Sequence, residues 1–163
     1  MAFFASIFSS QWVVAETQLL WGDTHLHTNT SPDAYIMGTH NLGPDDAYRF
    51  ARGIPVLSEY TGHQIRINRP LDFLVVADHA EYLGIVPRLL RGDPQLINTV
   101  EGKQFNELVQ QGKLRDAFFR LVQSANNRQG LEGLNSPEIK KSTWQHQIKA
   151  AERNYFPGEF TSL

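Results

Sequence analysis

The chain has 163 residues, of which 41% are hydrophobic and 20% charged, a balance that describes one globular domain rather than two. A chain of this length buries roughly 68–70% of the surface it exposes when unfolded, which excludes a small scaffold that needs disulfides or a structural metal to fold. A net charge of −2 gives no field to draw in nucleic acid or an anionic membrane, and the absence of cysteine excludes disulfides, thiolate metal sites and a cysteine nucleophile. Any metal is left to His, Asp or Glu.

Residues 1–18 read as a leader and residues 19–163 as the domain. Met1 to Val14 is apolar-leaning, and Val13-Val14-Ala15 before Glu16 has the small-residue look of a signal-peptide cleavage site. No Lys or Arg precedes that run, and Ser9, Ser10 and Gln11 interrupt it. Two compartments follow: periplasmic or secreted if the segment is a cleaved signal, cytoplasmic otherwise. No run approaches the roughly 18 apolar residues of a membrane span.

Gln18 to Trp21 is expected to be a short buried strand that delivers Gly22-Asp23-Thr24-His25-Leu26-His27 at its C-terminal end. Pro44 at N1, with Asp45 and Asp46 in the first turn, predicts a helix ending near Gly53. Residues 54–69 mix Gly, Pro and isolated apolar residues and read as an irregular or hairpin-like excursion. Leu71-Asp72-Phe73-Leu74-Val75-Val76-Ala77 is too short and too β-branched for a helix; it predicts a parallel strand covered on both faces, closing a β-α-β unit and ending in Asp78-His79.

Helices are expected over Ala80–Leu90 and Lys103–Gln111, and then along a stripe of Leu114, Phe118, Leu121, Val122 and Ala125. Ser136 as N-cap and Pro137 at N1 open a last helix, whose residues Trp144, Ile148, Ala151 and Tyr155 recur at helical spacing and are expected to face the core. Pro157-Gly158 ends it, and Phe160 to Leu163 reads as the start of another strand. No internal repeat or low-complexity segment is present. The expected class is α/β.

The chemistry lies at the two strand ends. His25 and His27, one residue apart, point to one face and can converge on one ion; alone, such a pair is more often two exposed polar residues after a strand. Asp23 is a candidate to orient a ring nitrogen. Asp78-His79 adds a second His-bearing strand end, and the C-terminal edge of a parallel sheet is where ligands collect. Asp33 follows through a turn-rich loop that can fold its carboxylate back over the site or simply cap the loop. Glu81 reads as a ligand, a general base or a first-turn helix acid. His40, His63 and His146 lack a strand-end context. No phosphate-cradling Gly loop, nucleophile elbow or basic aromatic patch is present.

Asp23-Thr24-His25-Leu26-His27-Thr28, Ser31-Pro32-Asp33 and Phe73-Leu74-Val75-Val76-Ala77-Asp78-His79, in that order, resemble the motifs of the PHP (polymerase and histidinol phosphatase) superfamily. Residues 31–39 and 70–84 resemble its bacterial DUF3604 family. The resemblance runs from about residue 19 to the end. It implies the N-terminal part of a distorted (β/α)7 barrel carrying a two- or three-metal centre of Zn, Mn or Fe. His25, His27, Asp33 and His79 would be metal ligands, and Asp78 a carboxylate supporting them. Asp78 and Glu81 are the candidate catalytic carboxylates.

The implied activity is hydrolysis of a small-molecule substrate, with phosphoesters as the expected class and metal-activated water as the nucleophile. Relatives draw further ligands from later strands, so the chain is expected to hold only part of the site. An inert fragment or simple metal-binding module is the alternative from another class, and an amidohydrolase-type barrel is the alternative enzyme.

Overall fold

The structure is a computed structural model, and it describes residues 17–163. Of the leader expected over residues 1–18, residues 1–16 lie outside the described residues. In chain order the elements are β1 (Gly22–Leu26), α1 (Pro32–Ile36), α2 (Pro44–Ala51), β2 (Val56–Leu57), β3 (Gln64–Ile65), β4 (Phe73–Val76), α3 (Ile85–Leu90), α4 (Pro94–Ile97), α5 (Val100–Gln110), α6 (Leu114–Asn126), a 3₁₀ turn (Glu132–Leu134), α7 (Pro137–Asn154) and β5 (Thr161–Ser162). The α/β class holds. β1, β4 and β5 form a parallel sheet in the order β1-β4-β5, and β2 and β3 form a separate antiparallel ribbon; neither sheet is closed. None of the described helices is long and apolar enough to cross a membrane.

β1 starts later than the apolar pattern suggests. Leu19, Leu20 and Trp21 are exposed, and the parallel ladder begins where Gly22 faces Phe73. A Cβ at position 22 would strike the Phe73 ring, so glycine admits the close pairing. Before it, Trp21 N donates to Asp72 Oδ2 and Asp72 N to Trp21 O, both at 2.7 Å, and the Arg69 guanidinium lies over the Trp21 ring.

β4 is not covered on both faces. Leu74 is fully buried against Tyr48, Ala51, Ala150 and Phe160, with Val76 packed on the same cluster, whereas Phe73 and Val75 alternate to a half-exposed face. Helices α2 and α7 both pack on the Leu74 side. A second apolar cluster lies among the helices, around Ile85, Val86, Leu96, Leu121 and Leu134.

The helix expected over Ala80–Leu90 is only its second half, Ile85–Leu90. Pro87 lacks an N–H and its ring crowds the carbonyl four residues earlier, so it belongs in a first turn and not a helix middle. The chain reaches that turn through two left-handed residues, Tyr82 (φ 56°) and Gly84 (φ 71°). α7 packs closely here: a Cβ on Gly84 would run into Thr143 Oγ1. Helix α5 begins at Val100 because Thr99 caps it, its hydroxyl accepting from Gly102 N.

The last helix has the expected Ser136 cap, but its most buried face is a different one, and of the expected stripe only Ala151 packs on the core. Ile139, Thr143, Gln147, Ala150 and Asn154 turn inward, while Trp144 (58% exposed), Ile148 (41%) and Tyr155 (51%) turn out. Small Ala150 lets the helix lie close to Leu74, and Gln147 and Asn154 find acceptors there, which the larger apolar stripe on the adjacent side does not match.

An acid–base clamp joins α2 to α7. Arg153 Nη2 donates to Asp45 Oδ2 at 2.6 Å and Asn154 Nδ2 to Asp45 Oδ1 at 2.9 Å. Burial alone would raise the Asp45 pKa, but these donors and the Arg153 charge outweigh it and hold the carboxyl below its ordinary 3.8. The clamp's stabilisation is therefore complete above pH 3.8 and disappears as pH falls through the lower folded value. Asp45→Asn is expected to lower the melting temperature at pH 7, with the gap to the parent protein narrowing as the pH is taken below 3.8 in a series of thermal melts. Gly84→Ala is expected to destabilise by about 2 kcal/mol in urea unfolding, since it adds both a left-handed alanine and a clash with Thr143.

Candidate metal centre

The parallel register sets β1 and β4 level at their C-terminal ends: Leu26 pairs with Val76, and Ala77 N donates to Leu26 O at 2.8 Å. Both polar clusters therefore emerge side by side. β1 carries one irregularity between Asp23 and Leu26, where it spends an extra residue against β4. His25 and His27 still share a side, with their rings stacked at 4.9 Å between centroids and 29° between planes. The Asp23 carboxylate accepts from the His25 backbone N–H at 2.8 Å, so it shapes the strand rather than orienting a ring nitrogen.

The turn after His27 brings Asp33 back over the strand ends. Ser31 N donates to Thr28 O at 3.0 Å, Pro32 opens the short helix α1, and Asp33 follows in its first turn. Where a loop was expected, residues 32–36 make this one helical turn. Asp33 Oδ2 lies 2.7 Å from His27 Nδ1 and 3.6 Å from His79 Nε2, and the His27 and His79 rings meet edge to face at 4.7 Å. Ligand atoms of His27, Asp33 and His79 all lie within 4.8 Å of one another. The three come from three separate segments: the end of β1, the first turn of α1 and the end of β4.

Fully buried Ser31 supports this cluster from beneath. Its hydroxyl donates to Asp33 Oδ1 and accepts from His79 N at 3.1 Å, fixing the carboxylate and the start of the His79 segment together. Burial would raise the Asp33 pKa, yet the hydrogen bonds from Ser31 and His27 and the His27 charge more than compensate, and the carboxyl is held below its ordinary value.

Two ligands bonded at about 2.0–2.1 Å in tetrahedral array stand about 3.4 Å apart. The observed 2.7 and 3.6 Å bracket that spacing. A neutral imidazole pair with one carboxylate is a donor set suited to Zn, Mn or Fe. The side chains also grade outward, at 17% exposed for His27, 28% for Asp33 and 50% for His79, so the cluster opens to solvent on the His79 side.

The remaining candidates stand apart from the three. His25 is exposed and touches the group only through its ring stack on His27. Asp78 faces the other way: it accepts from Thr28 N, Thr28 Oγ1 (2.7 Å), Thr30 Oγ1 (2.6 Å) and Gln147 Nε2. Its carboxylate ties the loop after β1 to the end of β4 and to α7. Glu81 is exposed, in the turn before α3 rather than on a helix, and lines an open cleft together with Asp33 and His79. His40 packs on Tyr35 beside Glu59, and His63 and His146 are exposed elsewhere.

In the sequence Thr28 and Ser31 stood in the quoted motifs without an assigned role, and Thr30 and Gln147 carried none either. Ser31 had a signal, its place two residues before Asp33. Gln147 had one too, a polar residue in register with Ile139 and Thr143 along one helix face.

A family profile described as "Protein of unknown function (DUF3604)" matches residues 14–163, nearly the whole chain, and the chain belongs to that family. No curated protein and no solved structure matches it.

The Asp78 cluster makes its own prediction. An amide at position 78 would set its N–H₂ either against the three donors that meet Oδ2 or against the Thr28 N–H that meets Oδ1, so Asp78→Asn is expected to destabilise by about 2 kcal/mol in chemical unfolding. A loss below about 0.5 kcal/mol would contradict the assigned role.

Proposed function

We propose that this protein is a metal-dependent hydrolase of the PHP type, acting on phosphoesters, with His27, Asp33 and His79 as ligands of a divalent cation and His25 as a neighbouring donor. The observation that carries the reading is the convergence of three donor atoms from separate segments at the C-terminal edge of a parallel sheet. Motif resemblance supports the superfamily, and three parallel strands with helical crossovers are compatible with its distorted barrel.

A divalent cation held there supplies a polarised water and neutralises charge developing on substrate oxygens. The residues themselves do the positioning. Ser31 holds Asp33 so that one oxygen faces both imidazoles, and Asp78 holds the Thr28–Thr30 loop that carries the chain from His27 back to Asp33. Glu81, exposed beside His79, is placed to exchange protons with solvent and with a group in the cleft.

A second reading, metal binding without hydrolysis, is favoured by the donor count. Among the described residues the set has three members, enough for one ion with an open position, whereas a two-metal centre needs more.

The test is calorimetric titration of chelator-treated protein with Zn and Mn, alongside turnover of bis(nitrophenyl) phosphate. One equivalent of metal is expected, with affinity falling about tenfold or more in His79→Ala and Asp33→Ala. Chelator-sensitive turnover supports the hydrolase; binding without turnover supports the second reading. Unchanged metal affinity in both variants would overturn the ligand assignment.

A further inference from the structure

The cleft beside the three ligands has a second wall that the chemistry above does not use. It measures about 320 Å³ and runs from Asp33 and His79 to the face of α6 that carries Phe118, Val122 and Ala125. Small-molecule sites begin near this size, and an apolar cavity of about 150 Å³ already holds a benzene ring.

The charges that line the cleft are of one kind. Asp33 and Glu81 are acidic, and no Lys or Arg is among its described lining residues. Tyr82 adds only its ring: its hydroxyl is paired with Ser124 Oγ and accepts from Leu131 N at 2.9 Å, so that polar end is occupied among the helices. The same bonds hold the left-handed Tyr82 turn against α6 and Leu131, fixing the distance between the two walls.

We propose that this cleft receives an uncharged aryl or branched alkyl group of the substrate, with the substrate's oxyanion end at His27, Asp33 and His79. The inference rests on the metal-site reading for the placement of the oxyanion end, and on the α6 wall alone for the apolar end. A second phosphate or carboxylate on the distal part would lie at the apolar α6 wall, with no Lys or Arg among the described lining residues to pair with it, so the substrate class is a monoanionic ester of an apolar alcohol and not a sugar bisphosphate or a nucleotide.

Two arms separate the parts. In the first, chelator-treated protein is mixed with benzyl alcohol, which has no metal-binding head, and followed by saturation-transfer NMR. Transfer to the ring protons is expected, and it should disappear in Ala125→Trp, which fills the cleft from the surface of α6. In the second, zinc-loaded protein is titrated with phenylphosphonate and methylphosphonate. The phenyl compound is expected to bind about tenfold or more tightly. Val122→Thr, close in shape and more polar, should narrow that ratio while leaving zinc affinity within about twofold.

Absence of benzyl alcohol transfer in the native chain overturns the proposal. So does equal affinity for the two phosphonates, or a phenyl preference that survives both α6 variants. Failure to bind zinc with benzyl alcohol transfer intact would overturn the metal reading and leave the apolar cleft standing.

Discussion

The parallel pairing of β1 with β4 sets the level at which every polar group of the site stands. Because Leu26 lies across from Val76, both strands release their chains at one edge, and Thr28 and Asp78 arrive within hydrogen-bond reach of each other although fifty residues separate them in sequence. Asp78 then fastens that edge. Its four hydrogen bonds reach the loop after β1 and the middle of α7, so the sheet edge, the Asp33 loop and the longest helix are held by one carboxylate. A carboxylate that accepts from hydroxyl, amide and backbone donors together is well compensated for its partial burial.

From that anchor two layers of support reach the candidate ligands. Thr28 and Ser31, both fully buried, turn the chain sharply enough to return Asp33 to His27, and Ser31 bonds both Asp33 and the His79 backbone. The ligands themselves lie further out and become more exposed toward His79. Rigid polar support beneath and open solvent above is the arrangement expected where a site must hold geometry yet admit a substrate.

Much of this was legible in the sequence, and the reasons differ by residue. The β4 strand showed because Phe73 to Ala77 is apolar, β-branched and too short for a helix; the parallel β-α-β unit followed from Pro44 and the acidic first turn of α2. Asp33 was visible as a candidate, but whether it capped its loop or returned to the histidines depended on the Ser31 turn, a tertiary matter. The inward face of α7 was misread because hydrophobic weight favoured Trp144, Ile148 and Tyr155. The packing was decided instead by Ala150, which is small, and by Gln147, whose amide has a half-buried carboxylate to meet. Residues 80–84 were misread as helix because a left-handed Tyr82 leaves no periodic signal, although Pro87 already marked a helix start.

The central claim is that His27, Asp33 and His79 bind one divalent cation together. The most direct measurement is X-ray absorption at the zinc edge of protein loaded with one equivalent of zinc, compared with His79→Ala. The account predicts two imidazole nitrogens and carboxylate oxygen at about 2.0–2.1 Å, with one imidazole lost in the variant. A first shell of oxygen alone, or a spectrum that His79→Ala leaves unchanged, would contradict it.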